Sequence, residues 1–179
     1  MLQAEQDALV LLAQSGNEKS LAMLFAALQP GLVRFAYKLC NNQQWALDAT
    51  QEAWLKAIKS LPRLDDPRAF KSWLFRGVRW TVLDCVRKHR AEEKKQQSLA
   101  QAAESAEPLQ VETNGWSLSE MINDLPEDEK QAIYLFYQED MRLSEIALVQ
   151  EVPVNTVKTR LYRGKAKLKL WLEKQDECR

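Results

Sequence analysis

Residue types that carry catalysis or hold metal ions are scarce in this chain of 179 residues. Its single histidine, His89, lies in the charged run RKHRAEEKK, where we expect a solvated side chain and not a metal ligand. The three cysteines, Cys40, Cys85 and Cys178, are odd in number and lack CxxC spacing, so we interpret them as reduced thiols of a cytoplasmic protein. A zinc site built from a His/Cys cluster and a disulfide framework are therefore both excluded.

Enzyme motifs are missing as well. The sequence has no Gly-rich phosphate loop, no cluster of metal ligands and no nucleophile next to a base. It therefore predicts a protein that performs no covalent chemistry and needs no cofactor, metal or small-molecule substrate.

Glycine and proline number only five and six, whereas apolar residues make up 46% of the chain. These are too few for the many tight turns of a β-sandwich or barrel, so the composition favours helices. The longest apolar run, Leu21–Leu28, is much shorter than the roughly 20 residues of a membrane span. The first residues, MLQAEQD, are acidic where a secretory signal is basic, which predicts a cytoplasmic location.

The chain has no net charge, since 25 basic residues balance 25 acidic ones. Along the sequence, however, the charges separate: bases are in excess over residues 1–95 and 152–179, and acids are in excess over 96–151. The Gln/Ala/Ser/Glu-rich stretch 96–115 contains no base and has weak apolar periodicity, which is typical of a flexible linker. We therefore predict an N-terminal domain at 1–95, a linker at 96–115 and a C-terminal domain at 116–179.

Apolar residues recur at helical spacing in both predicted domains, and no segment alternates as a strand does, so the predicted fold class is all-α. Helices are predicted over 9–28 with a break at Gly16–Asn17, and over 32–40, 45–61, 67–90, 116–122, 130–137, 143–149 and 154–172. Asp66 and Pro67 predict a helix start, with aspartate as the N-cap and proline at the first helical position. The side chains expected on the buried side of the N-terminal domain are Trp54, Ile58, Phe70, Trp73 and Leu74.

The last two predicted helices form a helix-turn-helix candidate, since a turn of a few residues joins them and the second helix is strongly basic. One stripe of the second helix is apolar and is expected to pack on the first helix: Val154, Val157, Leu161 and Leu168. The opposite stripe offers cations, a hydroxyl and an aromatic ring to base edges and phosphates: Lys158, Thr159, Tyr162, Arg163 and Ala166. An ordinary amphipathic helix with solvated bases is the alternative.

Three motifs stand in the C-terminal domain: LPEDEK from Leu125, SEIA from Ser144 and PVNTVKTRLYRGK from Pro153. Together they resemble the C-terminal domain of bacterial extracytoplasmic-function (group IV) RNA polymerase sigma factors. The resemblance implies a recognition helix that reads the minus-thirty-five promoter element in the major groove. Arg142 departs from the family, which often has a Ser or Thr N-cap there, so that helix needs another cap. The residues assigned to minus-thirty-five binding are Asn155, Thr156, Lys158, Thr159, Arg160, Tyr162, Arg163 and Lys167.

The N-terminal domain contains the segment WALDATQEAWLK, which begins at Trp45. Spacing of i, i+3 and i+4 puts Asp48, Gln51 and Glu52 on one helix face, where an acidic, hydrogen-bonding patch suits a basic protein partner. The segment is similar to the D-x-x-Q-E-x-F/W-L-(K/R) segment of the same family. The similarity implies that these three residues bind the clamp coiled coil of the largest subunit of core RNA polymerase. A solvated helix face without a partner is the alternative.

The segment FKSWLFRGVRWTVLDCVRKHR, which begins at Phe70, mixes aromatic and basic residues. Separating a duplex costs about 1.4 kcal/mol per base-pair step, and stacking an unpaired base on an aromatic ring recovers about 1–3 kcal/mol. The segment resembles the family's W-L-(F/Y)-R-I-A-x-N-x-x-x-D-x-x-R-(K/R) pattern, which implies recognition and melting of the minus-ten element. Trp80 stands where asparagine is usual, whereas Asp84 matches. The residues assigned to this role are Arg76, Arg79, Trp80, Asp84, Arg87, Lys88 and Arg90.

The resemblance therefore implies a factor that binds core polymerase and promoter DNA and is held inactive by an anti-sigma factor. Two alternatives stay open. A decoy that mimics a sigma factor to titrate a regulator would tend to lose its DNA-facing bases. A stand-alone helix-turn-helix repressor would bind operator DNA tightly without polymerase, and a gel shift with free protein at moderate salt would favour it.

Overall fold

A computed structural model describes residues 3–99, 122 and 124–177, and all regular structure within these ranges is helical. The N-terminal domain consists of α1 (Gln3–Gln14), α2 (Glu18–Cys40), α3 (Gln43–Ser60) and α4 (Phe70–Leu99), with 3-10 turns at Leu61–Arg63 and Pro67–Ala69. The C-terminal domain consists of α5 (Glu127–Tyr137), α6 (Leu143–Gln150) and α7 (Val154–Glu177). The prediction of an all-α, two-domain fold is confirmed. Apart from Ile122, the predicted helix at 116–122 lies outside the described residues, as does most of the predicted linker.

The prediction of a helix boundary between residues 28 and 32 is wrong, because α2 runs without a break through Pro30. A proline inside a helix removes one backbone hydrogen bond and costs about 3 kcal/mol. One face of α2 offsets that cost by burying Leu24, Leu28, Leu32 and Phe35 in the core, at about 1.5–3 kcal/mol for each large side chain. By length and composition alone α2 is also long and apolar enough to cross a membrane. The burial of its apolar face within the N-terminal domain is, however, typical of a core helix.

Three asparagines cap the ends of helices in the N-terminal domain. Asn17 accepts a hydrogen bond from the Ser20 N–H at 3.0 Å and so caps α2. Asn41 ends α2 in the left-handed conformation, with φ of 50°. Asn42 accepts from the Trp45 N–H at 3.1 Å and caps α3. These caps satisfy backbone groups that have no partner within a helix.

Two predicted helix starts differ from the structure. Asp66 does accept a hydrogen bond from a backbone N–H, that of Arg68 at 3.0 Å, but it caps the short 3-10 turn that precedes α4. At the start of α6, Arg142 has no acceptor atom in its side chain and cannot act as an N-cap. Instead, its backbone N–H donates to Glu145 Oε2 at 2.6 Å, so the carboxylate of the first turn stabilises the helix start.

The core contains most of the side chains expected there. Phe70 and Leu74 are fully buried, and Trp54 is buried with its indole N–H donating to Gln29 Oε1 at 2.8 Å. Trp73 is only half-buried. Ile58 and Val154, both predicted to be buried, are exposed because they lie at the edge of the apolar face of their helices.

The two domains pack against each other, with α2 and α4 on one side and α5 and α6 on the other. The rings of Phe35 in α2 and Tyr134 in α5 stack at a centroid distance of 5.8 Å. Arg79 Nε donates to Gln131 Oε1 at 2.9 Å. Trp80 donates its indole N–H to Glu151 Oε2 at 3.0 Å. Residues distant in sequence are thus joined across the boundary between the domains.

Candidate polymerase and DNA interfaces

A groove of about 810 Å³ lies between α3 and α4 and brings together residues from both predicted functional segments of the N-terminal domain. Asp48 and Glu52 line its α3 side. From α4 come four of the predicted minus-ten residues: Arg76, Trp80, Asp84 and Lys88. Sequence spacing within one helix could not show that these two sets share a groove, since that depends on how the helices pack.

Asp48, Gln51 and Glu52 are all exposed on one face of α3, as the spacing predicts. Gln44 Nε2 donates to the carboxylate of Asp48 at 3.0 Å, and Glu52 pairs with Lys56 at 2.6 Å. Both contacts are between residues four apart on an exposed helix, where such pairs are worth only about 0.3–0.5 kcal/mol. A partner with basic groups can therefore replace them at little cost.

The basic residues at the C-terminal end of the predicted minus-ten segment are exposed: Arg87, Lys88 and Arg90. Asp84 pairs with Lys88 at 2.8 Å and with Arg87 at 4.0 Å. The hydrogen bond from Lys88 lowers the pKa of Asp84, which therefore stays ionised at neutral pH. This carboxylate orders two cations on the helix surface.

His89 stacks on Trp45 with ring centroids 4.1 Å apart, while 44% of its side chain stays exposed to solvent. The stack joins the start of α3 to α4 beside the groove. Among the described residues, no cluster of His, Cys, Asp and Glu side chains could hold a metal ion.

In the C-terminal domain, α6, a short turn and α7 form a helix-turn-helix. Glu151 ends α6 in the left-handed conformation, with φ of 56°, and Pro153 precedes α7. Val157 and Leu161, on the inner face of α7, are buried. A Cβ added at Gly164 would lie 2.6 Å from the Ile133 side chain, so glycine lets α7 lie close to α5.

The exposed stripe of α7 coincides with the predicted reading face. Lys158, Thr159, Tyr162, Arg163 and Ala166 are all exposed, and Tyr162 is 75% exposed. Asn155 is exposed and Thr156 half-buried at the start of the helix. A tyrosine so accessible is well placed for a partner, because burying an aromatic ring is a large gain on binding.

Two residues predicted to contact DNA also have partners inside the C-terminal domain. Arg160 is half-buried and donates to Asp128 at 2.6 Å and to Gln150 at 2.9 Å, which ties α7 to α5 and α6. Lys167 donates to the buried carboxylate of Glu129 at 2.9 Å. The helical wheel placed both residues beside the reading face but could not show the acidic first turn of α5 below them.

Arg160 is therefore expected to stabilise the C-terminal domain. Arg160→Lys keeps the positive charge but loses the planar fork that reaches two acceptors, so we expect the free energy of unfolding to fall by about 1–3 kcal/mol. Thermal denaturation followed by circular dichroism measures the effect. Arg163→Lys, an exposed change on the same helix, is the control and should leave the midpoint unchanged. Equal midpoints for the two variants would contradict the assignment.

The most important residues that sequence reasoning missed are Glu139 and Glu151. Each sits in a turn of the C-terminal domain and contacts the N-terminal domain. Their local sequence has no distinguishing feature, because the contacts depend on the relative placement of two domains.

Comparison with known proteins agrees with this architecture of a two-domain helical DNA-binding factor. The model for Sigma-70 region 2 matches residues 24–92, and the model for Sigma-70 region 4 matches residues 116–168. RNA polymerase sigma factor SigV of Bacillus subtilis (strain 168) is 33% identical over 144 residues, covering 80% of this chain and 85% of its own.

Two solved structures share the fold. The sigma factor RpoE from Bartonella quintana, in complex with the anti-sigma factor NepR, has a TM-score of 0.68 and 22% identity, over 87% of this chain and 98% of its own. CnrH in complex with the cytosolic domain of CnrY has a TM-score of 0.68 and 23% identity, over 94% of this chain and 97% of its own.

The matches to the two family models and to SigV define a non-enzymatic transcription initiation factor. The chain belongs to the extracytoplasmic-function sigma factors of bacterial RNA polymerase. It binds core RNA polymerase and promoter DNA and directs promoter-specific initiation. The α1–α4 domain contains region 2, and the α5–α7 domain contains region 4.

Proposed function

We propose that three sets of residues divide the work of initiation, two of them on the walls of the groove between α3 and α4 and the third on α7. The α3 face with Asp48, Gln51 and Glu52 binds the clamp coiled coil of the largest polymerase subunit. The basic and aromatic face of α4 binds and melts the minus-ten element, and the exposed stripe of α7 reads the minus-thirty-five element. The functional domains extend over 1–95 and 116–179, with the linker at 96–115.

The observation that carries this proposal is the exposure of Lys158, Thr159, Tyr162 and Arg163 on one face of a helix-turn-helix. Arginine and lysine match the acceptors of guanine in the major groove, and they also neutralise phosphates. Arg160 and Lys167 are left out of the direct contacts because carboxylates already hold them. Asn155 and Thr156 lie at the N-terminal end of α7, the end that faces the base edges in this motif.

For the minus-ten element, the exposed Trp80 ring offers a stacking surface to an unpaired base. It cannot make the paired donor and acceptor contacts of an asparagine amide. Arg87, Lys88 and Arg90 supply cations for the strand that leaves the duplex. Arg76 and Arg79 lie nearer the C-terminal domain, and we propose that they contact DNA once the domains separate.

We further propose that this protein acts in the cytoplasm and that an anti-sigma factor controls it. RpoE of Bartonella quintana was solved with an anti-sigma factor, and CnrH with a cytosolic domain of CnrY. The solvent-exposed groove between α3 and α4 gives such a partner access to the proposed polymerase-binding residues.

Run-off transcription on fragmented genomic DNA tests the proposed function. Purified protein with core polymerase should produce transcripts from promoters that core alone ignores. Tight binding to core without initiation on any fragment would contradict the proposal and favour a decoy. Tight operator binding by the free protein at moderate salt, without polymerase, would favour a repressor.

A further inference from the structure

The basic end of the proposed minus-ten helix extends past the core of the N-terminal domain. Inward-facing valines recur along α4 at Val78, Val82 and Val86, of which the first two are buried and the last is half-buried. Among the α4 side chains that the structure describes, which end at Glu92, Val86 is the last to pack against the core. The helix itself continues to Leu99. A helix end with few tertiary contacts opens locally at low cost, so any attachment beyond Val86 determines how firmly this end is held.

His89 supplies such an attachment. It lies three residues after Val86, so it continues the inward-facing stripe at helical spacing. Its imidazole stacks on the indole of Trp45 in α3, with ring centroids 4.1 Å apart and an angle of 19° between the ring planes. His89 also lies 4.0 Å from Glu92, but that pair stays within α4. The stack therefore ties the α4 turn beyond the core to another helix.

Trp45 is itself held in place at the start of α3. Its backbone N–H donates to the side chain of Asn42 at 3.1 Å, which caps the helix. The residue before this cap, Asn41, ends α2 in the left-handed conformation. Cys40 Sγ donates to the backbone carbonyl of Asn42 at 3.3 Å. The indole thus extends from a turn whose polar groups are already paired, and it offers a fixed surface to the imidazole.

We propose that Trp45 and His89 are positioning residues for promoter opening. Their stack fixes the turn of α4 that carries Arg87, Lys88 and Arg90. This inference rests on the proposed assignment of those three cations to the minus-ten element. Because His89 faces inward, its neighbours in the sequence face solvent, where all three cations are exposed. The cations therefore meet the displaced strand on a helix end that is ordered before DNA binds, which removes an entropic cost from opening.

The stack also sets α4 relative to the proposed polymerase-binding face. Trp45 precedes Asp48 by about one helical turn, and both line the groove between α3 and α4. A polymerase that holds α3 at Asp48 therefore also fixes the platform on which His89 rests. Through this contact, the place where polymerase binds determines where the basic end of α4 meets the DNA.

Three full-length variants test the stack. His89→Ala removes the ring, and alanine favours a helix, so the α4 backbone is not weakened. His89→Phe keeps a flat ring that can stack and is the rescue variant. Glu92→Gln, the matched control, removes the ion pair of His89 and leaves the stack in place. Circular dichroism checks that all three keep wild-type helix content.

Hydrogen–deuterium exchange of the free proteins measures the attachment. The backbone amides of residues 87–92 should exchange about fivefold faster in His89→Ala, which is about 1 kcal/mol and the size expected for one aromatic pair. In His89→Phe and Glu92→Gln they should stay within about twofold of the wild type. The amides of residues 74–82, in the core part of α4, should be unchanged in all three.

Strand separation with core polymerase measures the consequence for function, reported by 2-aminopurine fluorescence in the minus-ten element. His89→Ala should open the promoter about fivefold more slowly, the same factor as for exchange. Its affinity for core should stay within about twofold of the wild type, because the proposed polymerase-binding residues are unchanged. His89→Phe should restore the rate. Trp45→Ala combined with His89→Ala should lose no more than Trp45→Ala alone, since both changes remove one contact.

Equal exchange of residues 87–92 in the wild type and His89→Ala would overturn the inference. So would a wild-type opening rate in His89→Ala, or a slow rate that His89→Phe does not restore. These outcomes are distinct from failure of the proposed function. If the wild type opens the promoter, the function stands whatever the variants show. If the wild type binds core and opens no promoter, the proposed function fails and the positioning role falls with it.

Discussion

Reversing two exposed carboxylates of α3, with Asp48→Lys and Glu52→Lys together, is expected to weaken binding to core RNA polymerase by about 100-fold. Placing like charges against each other across an interface costs several kcal/mol, and 2.7 kcal/mol is a factor of about 100. Both side chains are exposed, and their hydrogen bond and ion pair lie within α3, so the domain should keep its fold. The new lysines stand four residues from each other and from Lys56, which costs the helix only about 0.2–0.5 kcal/mol per pair. Fluorescence anisotropy of labelled protein titrated with core polymerase measures the affinity.

The matched control for this change is Glu18→Lys with Asp65→Lys. Both residues are exposed carboxylates of the N-terminal domain, and the pair changes the net charge by the same amount. We expect this variant to bind core within about twofold of the wild type, since scattered surface charges contribute little. If both double variants lose affinity equally, overall charge and not the α3 face governs binding.

The second large effect is expected on the reading face of α7. Lys158→Ala with Arg163→Ala should lower initiation at a promoter that depends on its minus-thirty-five element by about 100-fold, because each contact to a base edge or phosphate is worth about 1–3 kcal/mol. Both side chains are exposed, so the fold of the C-terminal domain should not change. Abortive initiation on a single defined promoter gives the rate.

Lys165→Ala with Lys169→Ala is the control for the reading face. It removes the same charge from the same helix, but Lys165 lies over the rings of Phe136 and Tyr137, and Lys169 lies six residues beyond Arg163 toward the C-terminal end of α7. We expect less than a threefold loss of initiation. A loss as large as that of the first pair would mean that the total charge of α7, and not its exposed stripe, determines promoter binding.

The sequence predicts the candidate site correctly where all the residues concerned lie on one face of a single helix. The i, i+3, i+4 spacing places Asp48, Gln51 and Glu52 on one exposed face regardless of the packing around α3. The same holds for the stripe of Lys158, Thr159 and Tyr162 on α7. Local periodicity is sufficient in these cases because the side chains share a face within a single element.

The features that could not be predicted depend on contacts between elements. Pro30 favours a helix end locally, and only the burial of α2 on both sides of it keeps the helix continuous. Arg160 is a cation on a basic helix, which locally predicts a DNA contact. Only the packing of α7 on α5 shows that it is paired with Asp128. The role of Glu139 requires the placement of one domain on the other, which no local pattern encodes.

The ion pairs beneath α7 also affect how promoter binding responds to salt. A protein cation releases counterions from DNA only if it neutralises a phosphate, and each such contact adds about −0.9 to the slope of log K against log salt. Arg160 and Lys167 are already neutralised by Asp128 and Glu129, so they release few counterions. If Lys158 and Arg163 make the phosphate contacts, region 4 contributes a slope of only about −2. Much of its affinity for the promoter then survives changes in the ionic strength of the cell.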